Sequence, residues 1–282
     1  MFERLYQGFK RAPLVWLARF RRWVIGEHAV GVLADTANGL LLTPVTDFYI
    51  GRKLSQRGTF DPRTVERLSA LVDQDADVLF VGAHIGSFLI PIARRCRSVV
   101  GVEANPATFR LLELNVIVNG LSNVEVFNVA ALDREGAVRF VANKVNTGAS
   151  KIFSGDADHP ETDFEDPEVV EVRAARLDDV LGSRSFDLIV LDIEGSEYRA
   201  LGGMPETLAG ARQLVIEFGP ALIESVARIT AAQFLEAVPE RFTTASLLGE
   251  ERLYGRSELL TLCDELWRNA YYDTPDLRFI AS

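Results

Sequence analysis

Apolar positions along this chain fall into short continuous runs separated by stretches of helical period, and that alternation predicts the fold. Val78-Leu79-Phe80-Val81 is an unbroken β-rich run closed by Gly82, the pattern of a strand buried on both faces. An apolar segment from Ser87 to Arg95 follows, with Arg94 and Arg95 placed as cations in the last turn of a helix. Ser98 to Val102 reads as a second buried strand and ends on Glu103. Asn105-Pro106 opens a helix carrying Phe109, Leu112, Leu114 and Val116, and Asn119-Gly120 stops it. Val124–Phe127 is a third strand leading into Asn128-Val129-Ala130-Ala131, and Ala137–Ala142 an added one after the Glu135-Gly136 turn. Strand character resumes at Val169–Ala174, at Phe186–Leu191 and at Gln213–Phe218. Helices are expected at Leu177–Leu181, from Glu197 to about Gly210, at Ala221–Ala237 and at Ser257–Trp267, with late strands at Thr243–Leu248 and Leu277–Ala281. This βαβ alternation predicts a doubly wound, mostly parallel α/β sheet over residues 61–282.

The first 60 residues read as a helical extension and a lead-in. Phe2, Leu5, Tyr6, Phe9, Trp16, Leu17, Phe20 and Val24 recur at helical spacing, with Pro13 a break or restart. The stripe is expected to pack on the protein body. A basic amphipathic helix can also lie among the headgroups of an anionic membrane, which makes residues 1–24 a peripheral contact in the alternative reading. An apolar stretch, Gly39 to Val45, precedes Thr46–Lys53, and Gly58 and Pro62 mark turns before a helix capped by Asp61. This segment can close over a ligand. Tyr49 and Arg52 are candidate contacts, with packing the favoured role for each.

Composition narrows the class. A chain of 282 residues and 31.2 kDa, 48% hydrophobic, can bury one α/β core with an extension. A formal net charge of −10 argues against nonspecific nucleic-acid binding. Cys96 and Cys263 have no paired spacing, so no disulfide framework or zinc site is expected, and a reducing cytoplasm is the default. No apolar run approaches the roughly 20 residues that span a bilayer. Residues 154–171 hold eight acids and no Lys or Arg, the composition of a solvated loop.

The chemistry gathers at predicted carboxyl ends of strands: Gly82, Glu103, Asn128, Asp192 and Glu217. Gly82 and Gly86 let backbone approach a ligand, and Glu103 can accept from both ribose hydroxyls. Gly82-x-His84-x-Gly86 is not a pyrophosphate loop, so an adenosine with an amino-acid tail, S-adenosylmethionine, is the economical ligand rather than NAD. Asp192 and Glu194 leave a buried strand two residues apart. One can ionise and position while the other accepts a hydroxyl proton, or both can hold a divalent cation, or they are helix N-terminal charge. No dedicated metal site is expected. His84 is read first as a hydrogen-bonded structural residue offering its backbone N–H, and second as a base. Glu197 and Glu217 remain open between charge and function.

At these residues the chain resembles the FkbM family of S-adenosylmethionine-dependent methyltransferases. The resemblance is carried by Thr46–Gly58, Val81–Gly86, Val102–Pro106, Asn119–Val124, Asn146–Ser150, Leu177–Leu181 and, most specifically, Leu191-Asp192-Ile193-Glu194-Gly195-Ser196-Glu197. It covers roughly residues 40–220. It implies a class I, Rossmann-like O-methyltransferase fold with a mostly parallel seven-stranded sheet, acting on hydroxyls of glycans or other secondary metabolites. Gly82, Ala83, His84 and Gly86 would face the methionine part, Glu103 the ribose, and Asn105, Ala130 and Ala131 the adenine side. Ala104 and Asn128 complete the cofactor-binding set, and Asp192 and Glu194 would sit by the acceptor. Two positions depart from the family pattern, Phe80 for an acid and His84 for an asparagine. A non-catalytic binding module is therefore the alternative, and a nicotinamide oxidoreductase a distant third.

Overall fold

The computed structural model describes residues 2–153, 167–269 and 274–282. Most of the acidic stretch, residues 154–166, lies outside them. Fourteen strands are assigned among the described residues. They are β1 (Gly31–Thr36), β2 (Gly39–Pro44), β3 (Asp77–Val81), β4 (Ser98–Glu103), β5 (Val124–Asn128), β6 (Ala130–Ala131) and β7 (Gly136–Ala142). The later half supplies β8 (Lys151–Ile152), β9 (Glu168–Ala175), β10 (Leu188–Leu191), β11 (Gln213–Glu217), β12 (Phe242–Leu247), β13 (Tyr254–Gly255) and β14 (Asp276–Ala281).

The main sheet runs β13-β12-β14-β11-β10-β3-β4-β5. Strands β11, β10, β3, β4 and β5 pair in parallel, and the β14 side joins antiparallel. The expected sheet of seven, mostly parallel, is therefore corrected to a mixed sheet of eight. The extra member is a two-residue edge strand, too short to leave a hydrophobic pattern. Along β3, Val78 and Phe80 enter one core layer while Leu79 and Val81 enter the other. That is why the run is apolar at every position rather than at alternate ones. The chain order reverses between β3 and β10, so the carboxyl ends of β3, β4, β10 and β11 open into one crevice. A second sheet, β6-β9-β7-β8, is inserted between β5 and β10 and stands beside that crevice.

The lead-in is not purely helical. β1 and β2 form a hairpin over Ala37-Asn38, and Leu41 enters the same core layer as Phe80. Asn115 of the helix Pro106–Val118 and Asn119 at its C-cap hydrogen-bond the backbone of Leu42 and Leu40, which ties the hairpin to the body. The next helix, Ile50–Arg57, buries Ile50 and Leu54 in that layer. Asp61 accepts from the Thr64 N–H, the expected cap.

Helix α1 (Phe2–Ile25) continues through Pro13, where a break was expected. Its packing also differs from expectation. Of the residues from 14 onward, Ala18 is buried, whereas Trp16, Leu17, Phe20, Trp23 and Val24 are exposed. The expected helix 221–237 is likewise divided: Pro220–Leu222 runs into a wide turn at Ile223–Ala227, and a new helix with a Thr230/Gln233 capping box spans Ala231–Ala237.

Candidate active site

Gly82 is the hinge on which the site is built. Its φ of +91° turns the chain off β3, and its own N–H and that of Ala83 both donate to the Val102 carbonyl at 2.9 Å. A Cβ at this position would stand 1.8 Å from the Asp192 carbonyl oxygen. Only glycine lets the first turn pass this close to the end of β10, so the same contact that closes the turn brings Asp192 beside it.

Glu103 lies across the turn. Its carboxylate accepts from the His84 N–H (2.9 Å) and the Asn105 N–H (2.8 Å), and among the described residues its side chain makes no ion pair. Burial pushes its carboxyl up to about 7 despite those two donors. Asp192, Glu194 and Glu217 each bring a carboxylate oxygen within 4.8 Å of the others, and Asp276 pairs with Glu217 in register between β11 and β14. Desolvation raises both Asp192 and Glu217. Glu217 stands well above the usual carboxyl range because Asp192, Glu194 and Glu197 add their charge, and its carboxyl hydrogen-bonds Asp192. Glu197 and Asp276 are each pushed up to about 7, chiefly by burial. Glu194 sits at φ +55° between Ile193 and Gly195, an uncommon backbone region for a residue with a side chain.

A cavity of about 790 Å³ joins these groups. Gly82, Ala83, His84, Glu103, Ala104, Ala130, Ala131, Asp192 and Glu194 all line it, as do Glu217 and Asp276. The lead-in covers its mouth with Tyr49, Lys53, Arg57 and Phe60. Arg52, the other candidate there, instead stacks on Phe48 and lines no wall.

Three expected cofactor contacts line no wall either, and each has another task. Gly86 turns the chain at φ +90° and donates to the Ala83 carbonyl. Asn105 caps the helix Pro106–Val118 by accepting from the Ala107 N–H. Asn128 donates to the carbonyls of Glu103 and Ala104, bracing the strand end that presents the carboxylate.

His84 has a φ of +50°. Its Nε2 is 2.7 Å from the Thr147 hydroxyl, and Thr147 donates in turn to Asp47. Asp47 is fully buried and also accepts from the N–H groups of Tyr49, Ile50 and Gly51. With its proton spent on Asp47, the Thr147 oxygen receives the His84 Nε2–H. Burial lowers the imidazole to about 4, so it is neutral at ordinary pH and a weak base. The sequence reading missed Thr147 and Asp47 as partners, although both lie in segments that carry the family resemblance.

Buried acids set a pH dependence. Unfolded glutamates release their proton near pH 4.5, whereas Glu103 and Glu197 hold theirs to about 7. Between those values the folded chain binds more protons, so stability falls as pH rises through the window. The melting temperature is expected to be higher near pH 5 than near pH 7.5, each group contributing on the order of 3 kcal/mol at most. A melting curve flat across that range would show these carboxyls to be neutralised otherwise.

The Methyltransferase FkbM domain model matches residues 81–238, more than half of the chain. A curated tRNA/tmRNA (uracil-C(5))-methyltransferase of Marinomonas sp. is 28% identical over 120 residues, 40% of this chain and 32% of that protein. The chain thus spans about a third of the length of the curated relative it matches. Among solved structures, Trm5b from Pyrococcus abyssi aligns with 91% of this chain and 57% of its own, at 13% identity and a TM-score of 0.46. An FkbM methyltransferase from Methylobacillus flagellatus aligns with 73% of this chain and 43% of its own, at 16% identity and a TM-score of 0.43.

Proposed function

This chain belongs to the FkbM methyltransferase family, and from that premise we propose that it methylates a hydroxyl of a glycan or small metabolite. S-adenosylmethionine is the cofactor of this family. The observation that carries the reading is the shared cavity, which puts Glu103 and the Asp192–Glu194 pair on walls of one space. Burial of Glu103 in an ion pair, or on another face from the two acids, would have ended it.

The residues present fit the cofactor. Asp192, Glu194, Glu217 and Asp276 offer only acceptors when ionised, in a half-buried site where burial raises the pKa of Asp192, Glu217 and Asp276 and neighbouring carboxylates push the last two further by repulsion. A ligand with two positive centres relieves that repulsion. Bound there, S-adenosylmethionine supplies a methyl group activated by a positively charged sulfur. Glu103 grips the ribose with the lone pairs left over from the His84 and Asn105 N–H groups. Phe80, buried beneath the turn, cannot hold an ammonium by charge. In this reading Glu217 and Asp276, paired where β11 meets β14, replace the missing one from the neighbouring strands. Asp192, with its proton affinity raised, takes the acceptor's hydroxyl proton, and Glu194 orients that hydroxyl.

Glu103→Gln is expected to weaken S-adenosylmethionine binding by about 10- to 100-fold, since a hydrogen bond to a charged group contributes roughly 1.5–3 kcal/mol. Titration calorimetry on the wild type and the variant checks this, and equal affinities would remove Glu103 from the ribose. For the acceptor, labelled cofactor is offered with glycans, small hydroxyl compounds and tRNA. Net charge disfavours the last, and label appearing in tRNA alone would overturn the hydroxyl reading.

A further inference from the structure

Helix α1 turns an apolar ridge away from the protein. Leu14, Ala18 and Arg21 recur at i, i+4 and i+7 and face the body; Ala18 is 1% exposed, and Arg21 donates to the Asp47 carbonyl. The opposite sector holds Trp16 and Trp23, 70% and 74% exposed, with Phe20 between them. The rings stack along the helix, Trp16 to Phe20 at 6.0 Å and Phe20 to Trp23 at 5.9 Å. Leu17 and Val24 widen the ridge, and the exposed Arg19 and Arg22 flank it. In the sequence the same spacing carries back through Phe9, Tyr6, Leu5 and Phe2.

Charge names the occupant. Residues 1–25 hold Arg4, Lys10, Arg11, Arg19, Arg21 and Arg22 against Glu3 alone, in a chain whose formal net charge is −10. A helix with an aromatic ridge bordered by cations matches the boundary between acyl chains and anionic headgroups. Trp16, Phe20 and Trp23 stand out from the helix as a convex ridge, which a deformable plane accommodates better than a groove does. No helix among the described residues is long and apolar enough to cross a membrane, so the contact is lateral. We infer that α1 docks the protein on an anionic lipid bilayer, Trp16, Phe20 and Trp23 entering the headgroup layer and the flanking arginines facing lipid phosphates.

The test uses the full chain and vesicles of phosphatidylcholine alone or mixed equally with phosphatidylglycerol. Sedimentation at low salt should pellet the protein with the mixed vesicles only, high salt should release it, and tryptophan emission should shift to the blue. Phe20→Glu with Trp23→Glu, and separately Arg19→Glu with Arg22→Glu, should each weaken binding by about tenfold or more. Circular dichroism and the thermal shift with S-adenosylmethionine should stay at the wild-type level in both. Absence from the mixed-vesicle pellet at low salt would overturn the inference. So would binding that neither pair of substitutions weakens, or a dimer in solution that the Phe20/Trp23 pair returns to monomer, since a second copy would then cover the ridge.

Discussion

Asp192→Asn is expected to lower the methyl-transfer rate by about 10²- to 10⁴-fold, the usual contribution of a positioned general base. The amide keeps the size of the side chain and loses its ability to take a proton. Glu217, whose carboxyl hydrogen-bonds Asp192, would lose the charge that contributes to its raised pKa. Single-turnover assays with saturating cofactor isolate this step, and calorimetry should place S-adenosylmethionine affinity within a few-fold of wild type. Glu194→Gln should instead raise the acceptor KM while leaving a larger share of kcat. A wild-type rate in Asp192→Asn would move the proton acceptor elsewhere, with Glu194 the next candidate.

The largest effect on stability is expected from Gly82→Ala. The new methyl would lie 1.8 Å from the Asp192 carbonyl oxygen and 3.0 Å from the Ile193 side chain, at a φ of +91°. Neither the backbone of β10 nor that of the turn can yield without breaking strand pairing, because Val81 and Leu191 are register partners just before the contact. A loss on the order of 4 kcal/mol or more follows, enough to unfold many single domains. Urea denaturation measures it. Gly58→Ala is the control: φ is +68° there too, but a Cβ would meet nothing within 4 Å, so only the backbone cost of about 1 kcal/mol applies. Similar losses at the two positions would disprove the close contact.

Sequence pattern carried the parallel half of the fold because buried strands announce themselves locally. Val78–Val81 and Leu188–Leu191 are apolar throughout, and the Asn105-Pro106 start of a helix is written in two adjacent residues. The hairpin of β1 and β2 carried its signal too: Gly39, at φ +122° directly after the Ala37-Asn38 turn, punctuates the chain there, and it went unread beside the apolar stretch it begins. The acidic wall could not be read in the same way. Glu217 and Asp276 meet only because β11 and β14 pair antiparallel, a long-range choice with no linear trace. Asp47, Thr147 and His84 likewise come from three distant segments. Asn105 and Asn128 were placed by motif position, but hydrogen-bond bookkeeping commits their side chains to a helix cap and two carbonyls.

The register that sets Glu217 opposite Asp276 has a mechanical consequence. Once both lose their protons, like charges face each other across the seam that joins the parallel strands to the carboxyl-terminal ones. A cationic guest acts there as a clasp. Amide exchange along Leu277–Ile280 should therefore slow when the cofactor enters, and loosen first in alkaline, ligand-free solution.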